Sequence, residues 1–125
     1  MQRRAVGSAL RNRLGEVATS HIFINTAEKA QGKTAELVIV CYGVVSPAQL
    51  DREASFLFTP NRLNVALSRS RCKFVIVCGE CLQKTRLKML EAPSVQEGYA
   101  LFMKALAAAK DGEQGAFFEW DAVLS

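Results

Sequence analysis

Two arginines in residues 61–71, which read NRLNVALSRSR, are spaced so that both could bind one anion. On a helix, Arg62 and Arg69 are seven residues apart and project only about 20° from each other. A guanidinium group stays charged and pairs with a phosphate through two parallel hydrogen bonds. The pattern therefore predicts a phosphate-facing helix, with an ordinary solvated basic face as the alternative.

A second segment, residues 27–34, comes close to the phosphate-binding loop pattern G-x-x-x-x-G-K-[ST]. Such a loop needs glycines, so that successive backbone N–H groups wrap the phosphates, and it must open a helix. Here Ala27 replaces the first glycine, and an apolar, strand-like run begins at Leu37. We therefore expect no autonomous phosphate-binding loop, although a small NTPase with such a loop stays a third interpretation.

The chain alternates helical and strand-like patterns, which predicts an α/β fold with a parallel sheet. Helices are predicted over residues 3–14, 60–71 (with Thr59 as N-cap and Pro60 in first place) and 95–110, strands over 21–25, 37–45 and 74–78, and a loop over 46–59. The apolar run 37–45 is typical of a central strand covered on both faces, with Cys41 buried in it. Three strands make a thin sheet, so the chain resembles most of an α/β domain lacking an edge.

Composition and charge limit the possible classes of protein. The chain has 125 residues, half of them hydrophobic and 22% charged, as in a globular domain. No apolar run approaches the ~20 residues that cross a bilayer, and no secretory signal is visible, so we expect no membrane partner. Residues 1–90 carry an excess of eight positive charges and residues 91–125 an excess of four negative ones. This asymmetry favours a phosphate-bearing partner.

Four cysteines, Cys41, Cys72, Cys78 and Cys81, raise the question of a metal or redox site. Cys78 and Cys81 form a C-x-x-C, but no second pair completes a zinc site. We interpret all four as structural thiols and leave metal binding and redox chemistry as alternatives. Free thiols favour a reducing, intracellular compartment, either cytoplasmic or nuclear.

The segment NRLNVALSRSR closely resembles motif VI of superfamily-1 helicases, in the subgroup that contains the nonsense-mediated-decay helicase and senataxin. Upstream, residues 26–32 read TAEKAQG and resemble motif V, usually T-V-D-x-x-Q-G-x-E, which is followed by an apolar strand as here. The order and spacing match from Gln2 to about Leu82. The resemblance implies a RecA-like parallel sheet flanked by helices, in an incomplete second motor domain over residues 1–110. Residues 111–125 are left as a tail of unknown role.

The resemblance also implies roles for five residues. Arg69 matches the arginine finger of motif VI, and Arg62 matches a second nucleotide-facing arginine. Gln31 and Gly32 match the positions that approach the phosphates, and Thr26 matches the hydroxyl that contacts the nucleic-acid backbone. The implied ligands are ATP with Mg, bound mainly by a first RecA-like domain in cis or in trans, and single-stranded RNA or DNA.

The implied function is that of the C-terminal motor domain of an ATP-dependent RNA or DNA helicase. Thr34 stands where the family has the motif V glutamate, and no convincing Walker A or Walker B sequence is present. We therefore expect the isolated 125 residues not to hydrolyse ATP. The alternative is a non-catalytic, helicase-derived module that binds nucleic acid or serves as a scaffold.

Overall fold

The computed structural model describes residues 2–84, 92–113 and 115–119. They form an α/β fold in which helices flank a two-stranded parallel sheet, an arrangement compatible with part of a RecA-like domain. In chain order the elements are α1 (Gln2–Leu14), α2 (Glu16–Ser20), a 3₁₀ turn (Glu28–Ala30), β1 (Ala35–Cys41), α3 (Pro47–Leu57), α4 (Pro60–Ser68), β2 (Ser70–Val77), α5 (Glu80–Gln83) and α6 (Pro93–Asp111).

The sheet pairs β1 with β2 in parallel, with Val38 opposite Phe74 and Val40 opposite Ile76. Among the described residues it has two strands, so the strand predicted over residues 21–25 is wrong. That segment is irregular and is held against α1 by side chains instead, because Arg3 Nη1 donates to Asn25 Oδ1 (3.3 Å).

The predicted coverage of β1 on both faces is also wrong. Val38 and Val40 are half-buried, whereas Leu37 and Ile39 are 48% and 55% exposed, and Cys41 is exposed rather than buried. The residues alternate in this way because α4 covers one face of the sheet, while the described residues leave the other face open.

Residues 46–59 contain a helix, α3, and not the long loop that was predicted. The Ser46 hydroxyl accepts a hydrogen bond from the Gln49 N–H (3.3 Å), and Pro47 occupies the first helical position. The helix buries Leu50 and Ala54, which lie four residues apart on one face. These two buried positions lie only one turn apart, and the three residues between them are charged, so the sequence showed no clear helical periodicity.

Helix α4 begins at Pro60 as predicted but ends at Ser68, and β2 begins at Ser70, earlier than expected. The early start follows from an added backbone bond, in which the Ala35 N–H donates to the Arg69 carbonyl (2.9 Å). Thr59 takes the N-cap position without capping, because its hydroxyl donates to the Ser55 carbonyl (2.9 Å).

The core is an aromatic cluster between the α3–α4 junction and α6. Phe58, Tyr99 and Phe102 are each at most 2% exposed, and the rings of Phe58 and Tyr99 meet edge to face at 5.0 Å. The buried residues of this core are Val44, Leu50, Ala54, Phe58, Leu63, Leu82, Val95, Tyr99, Phe102 and Leu106. Helix α6, predicted over residues 95–110, is thus confirmed and supplies much of the core.

Beyond α6, the aromatic residues of the tail differ in their exposure. Phe117 packs against the core under Lys110, whose Nζ lies 4.6 Å from the ring centroid, whereas Phe118 is 76% exposed. Trp120 lies outside the described residues. No helix in the described ranges is both long and apolar enough to cross a membrane.

Candidate nucleotide and nucleic-acid site

Arg62 is held from two sides at the first turn of α4. Its guanidinium forms an ion pair with Glu28 (Nη2 to Oε1, 2.5 Å), in the 3₁₀ turn that packs against α4. The same group lies over the Phe56 ring, 3.4 Å from its centroid. The Arg62 side chain is 28% exposed. The segment resembling motif V and the helix resembling motif VI are therefore joined by one arginine.

Three donor groups interact with the Glu28 carboxylate. Its own backbone N–H, the Thr26 hydroxyl and the Arg62 guanidinium lower the pKa of Glu28, with the backbone N–H contributing most. The partial burial of Glu28 opposes this shift and does not cancel it. Glu28 is therefore ionised at neutral pH and neutralises Arg62 where the two meet.

Arg69 lies just past the end of α4, at its C-cap, in a helical backbone conformation. Its N–H donates to the Ala66 carbonyl (3.2 Å), and its own carbonyl accepts from Ala35, so the backbone is fixed on both sides. The side chain is partly buried, and its Nε has no hydrogen-bond partner among the described residues. A buried guanidinium N–H without an acceptor is costly, which suits a site where an anion supplies that acceptor.

Gln31 and Gly32 form the middle of a tight turn between the 3₁₀ turn and β1. Gln31 has φ −56° and ψ 129°, Gly32 has φ 81°, and the Lys33 N–H donates to the Ala30 carbonyl (3.0 Å). These values describe a type II β-turn, which requires a positive φ at its third residue and hence favours glycine there. A Cβ on Gly32 would meet no atom within 4 Å, so the backbone is open to a ligand.

The Lys33 segment is not a phosphate-binding loop. Lys33 and Thr34 lead into strand β1 at Ala35, and not into a helix whose N-terminus could face a phosphate. This confirms the expectation from the sequence.

Thr26 lies beside Glu28 and not alone on the surface. Its hydroxyl is close enough to Glu28 to help lower the pKa of that carboxyl, and its backbone N–H donates to Asn25 Oδ1 (3.0 Å). A hydroxyl has one proton to donate. Contact with a phosphate oxygen would therefore require Thr26 to exchange the Glu28 carboxylate for the phosphate.

Glu36 does not occupy the place of the missing motif V glutamate in the turn. It lies on β1, where Cys72 Sγ donates to it (2.8 Å) and Arg71 forms an ion pair with it (3.5 Å). The hydrogen bond to Glu36 raises the pKa of Cys72, so this exposed thiol stays protonated. Thr34 itself is exposed.

Among the described residues, the cysteine pair of the C-x-x-C sequence belongs to no cluster of metal-ligating side chains. Burial raises the pKa of the Cys78 thiol, and Cys81 Sγ lies 3.8 Å from the Val44 carbonyl oxygen. Within the described ranges, no group of three or more His, Cys, Asp and Glu side chains is placed to hold a metal ion.

Sequence reasoning missed two members of this site. Glu28 and Phe56 fix the Arg62 guanidinium, yet neither was a candidate. Glu28 occupies the acidic position of motif V, and this was the available signal for it. The contact of Phe56 with Arg62 could not be predicted, because it depends on α3, where a loop was predicted.

A comparison with known protein families identifies the family of this chain. Residues 1–81 match the family model AAA_12, described as an AAA domain. The chain belongs to this family, which comprises the C-terminal domain of superfamily-1 helicases. It is thus a helicase-type motor domain. No curated protein and no solved structure matches the chain significantly.

Proposed function

We propose that this AAA_12 domain is the C-terminal half of an ATP-dependent RNA or DNA helicase motor, in the subgroup related to the nonsense-mediated-decay helicase. In this proposal Arg69 and Arg62 face ATP with Mg bound mainly by a first RecA-like domain, in cis or in trans. Gln31 and Gly32 approach the phosphates, and Thr26 contacts the backbone of a single strand.

One observation carries this proposal: the buried Nε of Arg69 has no acceptor among the described residues. A phosphate oxygen is the acceptor that a guanidinium fork suits best. Because the backbone of Arg69 is bonded on both sides, the side chain is presented from a fixed base. Such a group can stabilise the negative charge that develops during phosphoryl transfer.

Gly32 supports the phosphate-approach part of the proposal. The type II turn explains why a glycine is needed, and the absence of atoms around its missing Cβ leaves the neighbouring backbone accessible. ATP with Mg would supply the hydrolysable phosphate there. The residues of this chain supply positive charge and a close backbone approach.

The experiment is the replacement Arg69→Lys in a motor that contains both RecA-like domains. A lysine keeps the charge but loses the planar fork, so we expect ATP affinity to stay within about threefold and kcat to fall at least tenfold. Removing a finger of this kind typically costs ~10³–10⁵ in rate. Single-turnover ATP hydrolysis, with ATP binding measured separately, distinguishes the two effects.

Arg71→Lys is the matched control, because Arg71 lies two residues away but is exposed and paired with Glu36. We expect it to retain the wild-type kcat. An unchanged kcat for Arg69→Lys would remove Arg69 from the catalytic role.

A second candidate function is a non-catalytic nucleic-acid-binding module. The observation that favours it is the pairing of Arg62 with Glu28 and Phe56, which satisfies this arginine without a nucleotide. Such a module would bind single strands equally well with and without ATP, with an affinity that falls steeply as salt rises. An affinity that changes with ATP in the two-domain protein would exclude it.

A further inference from the structure

A second cation–aromatic pair lies outside the arginine site. Phe23 is 51% exposed, although it is among the largest apolar side chains of the chain, and Lys33 Nζ lies over its ring, 4.7 Å from the centroid. No role assigned so far uses either residue. The next residue, Ile24, is only half-buried, and its Cδ1 lies toward Gly7 of α1. In this segment Ile24 therefore packs on α1, whereas its neighbour Phe23 is exposed to solvent.

The surroundings of this pair are basic. Arg3 donates to Asn25 Oδ1, and that same oxygen accepts the Thr26 N–H. The Arg3 guanidinium therefore lies beside Thr26, the residue proposed to contact the nucleic-acid backbone. Helix α1 contains four arginines and no acidic residue. In the nearby 3₁₀ turn, the carboxylate of Glu28 is already paired with Arg62.

Phe23 and Thr26 are also close enough to contact one strand. Three residues of fully extended chain span at most about 11 Å between Cα atoms. An aromatic face beside cationic groups is the arrangement by which proteins hold single-stranded nucleic acid, since every base has a π-face and every nucleotide carries a phosphate. The chemistry therefore favours a nucleic-acid strand over a purely apolar partner.

We propose that Phe23 and Lys33 form a base-stacking subsite for single-stranded nucleic acid, in which Lys33 moves off the Phe23 ring to pair with a phosphate and the adjoining base packs on the ring face that it leaves. We call it the Phe23–Lys33 subsite. It rests on the proposed grip of this domain on a single strand and adds a contact to a base, whereas Thr26 contacts only the backbone. Stacking is tolerant of sequence, so the subsite holds a strand without reading it.

The experiment compares two fluorescein-labelled single strands by anisotropy: an oligothymidylate, and an abasic strand of the same length. For Phe23→Ala we expect the affinity for oligothymidylate to fall about 5- to 150-fold, while the affinity for the abasic strand stays unchanged. Phe23→Tyr should retain binding, because it keeps the ring. An oligouridylate should depend on Phe23 to the same degree, since stacking does not involve the sugar.

Lys33→Gln gives a complementary readout. We expect it to weaken binding of both strands alike and to make the slope of log K against log salt shallower by about 0.7, the value for one phosphate contact on a single strand. The matched control is Phe118→Ala, because Phe118 is exposed, lies in the tail and should not affect binding.

The outcomes separate this subsite from the proposed function. Equal affinity of Phe23→Ala and wild type for oligothymidylate would overturn the subsite. It would not contradict the proposed contact of Thr26 with the nucleic-acid backbone. An equal loss on both strands would also overturn it, because a merely structural role of Phe23 would not require a base. If the wild-type chain binds neither strand, the grip and the subsite both fail, and the Arg69 experiment still tests the nucleotide site.

Discussion

Helix α4 contacts two regions that are stabilised by different forces. Toward α6 it buries Leu63 in the aromatic core, at 3% exposure. Toward the 3₁₀ turn it contributes Arg62, whose partner Glu28 has a side chain that is 51% exposed. The first contact depends on removing apolar surface from water, and the second on one ion pair near solvent.

The difference between these regions shows which parts of the domain can change contacts. Burying a large apolar side chain stabilises a fold by about 1.5–3 kcal/mol, whereas an exposed ion pair contributes about 0–1 kcal/mol. The α6 side can therefore hold α4 in place while the polar side exchanges partners. The proposed contact of Arg62 with a nucleotide would use this division.

The largest expected effect is at Gly98, where α6 crosses the end of α3. A Cβ at this position would lie 1.6 Å from the Phe58 carbonyl oxygen, a backbone atom that cannot rotate away. Alanine gains about 1 kcal/mol of helix propensity over glycine, but relieving this overlap requires helix α6 to move. We expect Gly98→Ala to lower the free energy of unfolding by about 2 kcal/mol or more, measured by urea denaturation.

Gly7, in the middle of α1, is the matched glycine outside the aromatic core. A Cβ there would meet its nearest atoms at 3.8 Å, which is ordinary van der Waals contact. Gly7→Ala should therefore raise the free energy of unfolding by about 0.5–1 kcal/mol. If both variants had wild-type stability, the close approach of α6 to Phe58 would be wrong.

A smaller effect is expected at the polar contact itself. Arg62→Gln removes both the ion pair with Glu28 and the stacking on Phe56, whereas Glu28→Gln removes only the ion pair. We expect losses of about 1–2 kcal/mol for Arg62→Gln and at most about 1 kcal/mol for Glu28→Gln, again by urea denaturation. The double variant should be no less stable than Arg62→Gln alone.

The pair Glu80–Lys84 provides the control, because among the described residues no cation–aromatic contact accompanies this ion pair. Its two side chains are 74% and 71% exposed and lie one turn apart along the chain. Glu80→Gln should change stability by less than about 0.5 kcal/mol. An equal loss for Glu28→Gln and Glu80→Gln would mean that Arg62 gains nothing from its position between Glu28 and Phe56.

The sequence alone predicted the helices that have a strong apolar periodicity, and it predicted the order of the motifs along the chain. Helix α6 and the first turn of α4 follow from local signals, namely repeated apolar residues and Pro60. The uncovered face of β1 could not be predicted, because a run such as LVIV is typical of a strand buried on both sides. Exposure of Leu37 and Ile39 depends on which other elements pack nearby, which local sequence does not specify.

For the candidate site, too, the sequence predicted some features and not others. The resemblance to motifs V and VI identified the proposed nucleotide-facing residues, Arg62 and Arg69. The sequence could not predict that Glu28 would pair with Arg62, or that Lys33 would lie over Phe23. Both contacts join segments that meet only through tertiary folding. The family pattern thus predicts which residues could act, and the fold determines what each contacts.

The smallest expected effect is the pH dependence of the Glu28 contact. Its pKa in the folded state lies below the ordinary value of 4.5, so ionised Glu28 stabilises the fold. This contribution is complete above about pH 4.5 and is lost as pH falls through the lower folded-state pKa. The stability difference between wild type and Glu28→Gln should therefore be constant from neutral pH to about pH 5 and shrink below pH 4.5. Urea denaturation at a series of pH values measures it, and a difference that grows on acidification would contradict the lowered pKa of Glu28.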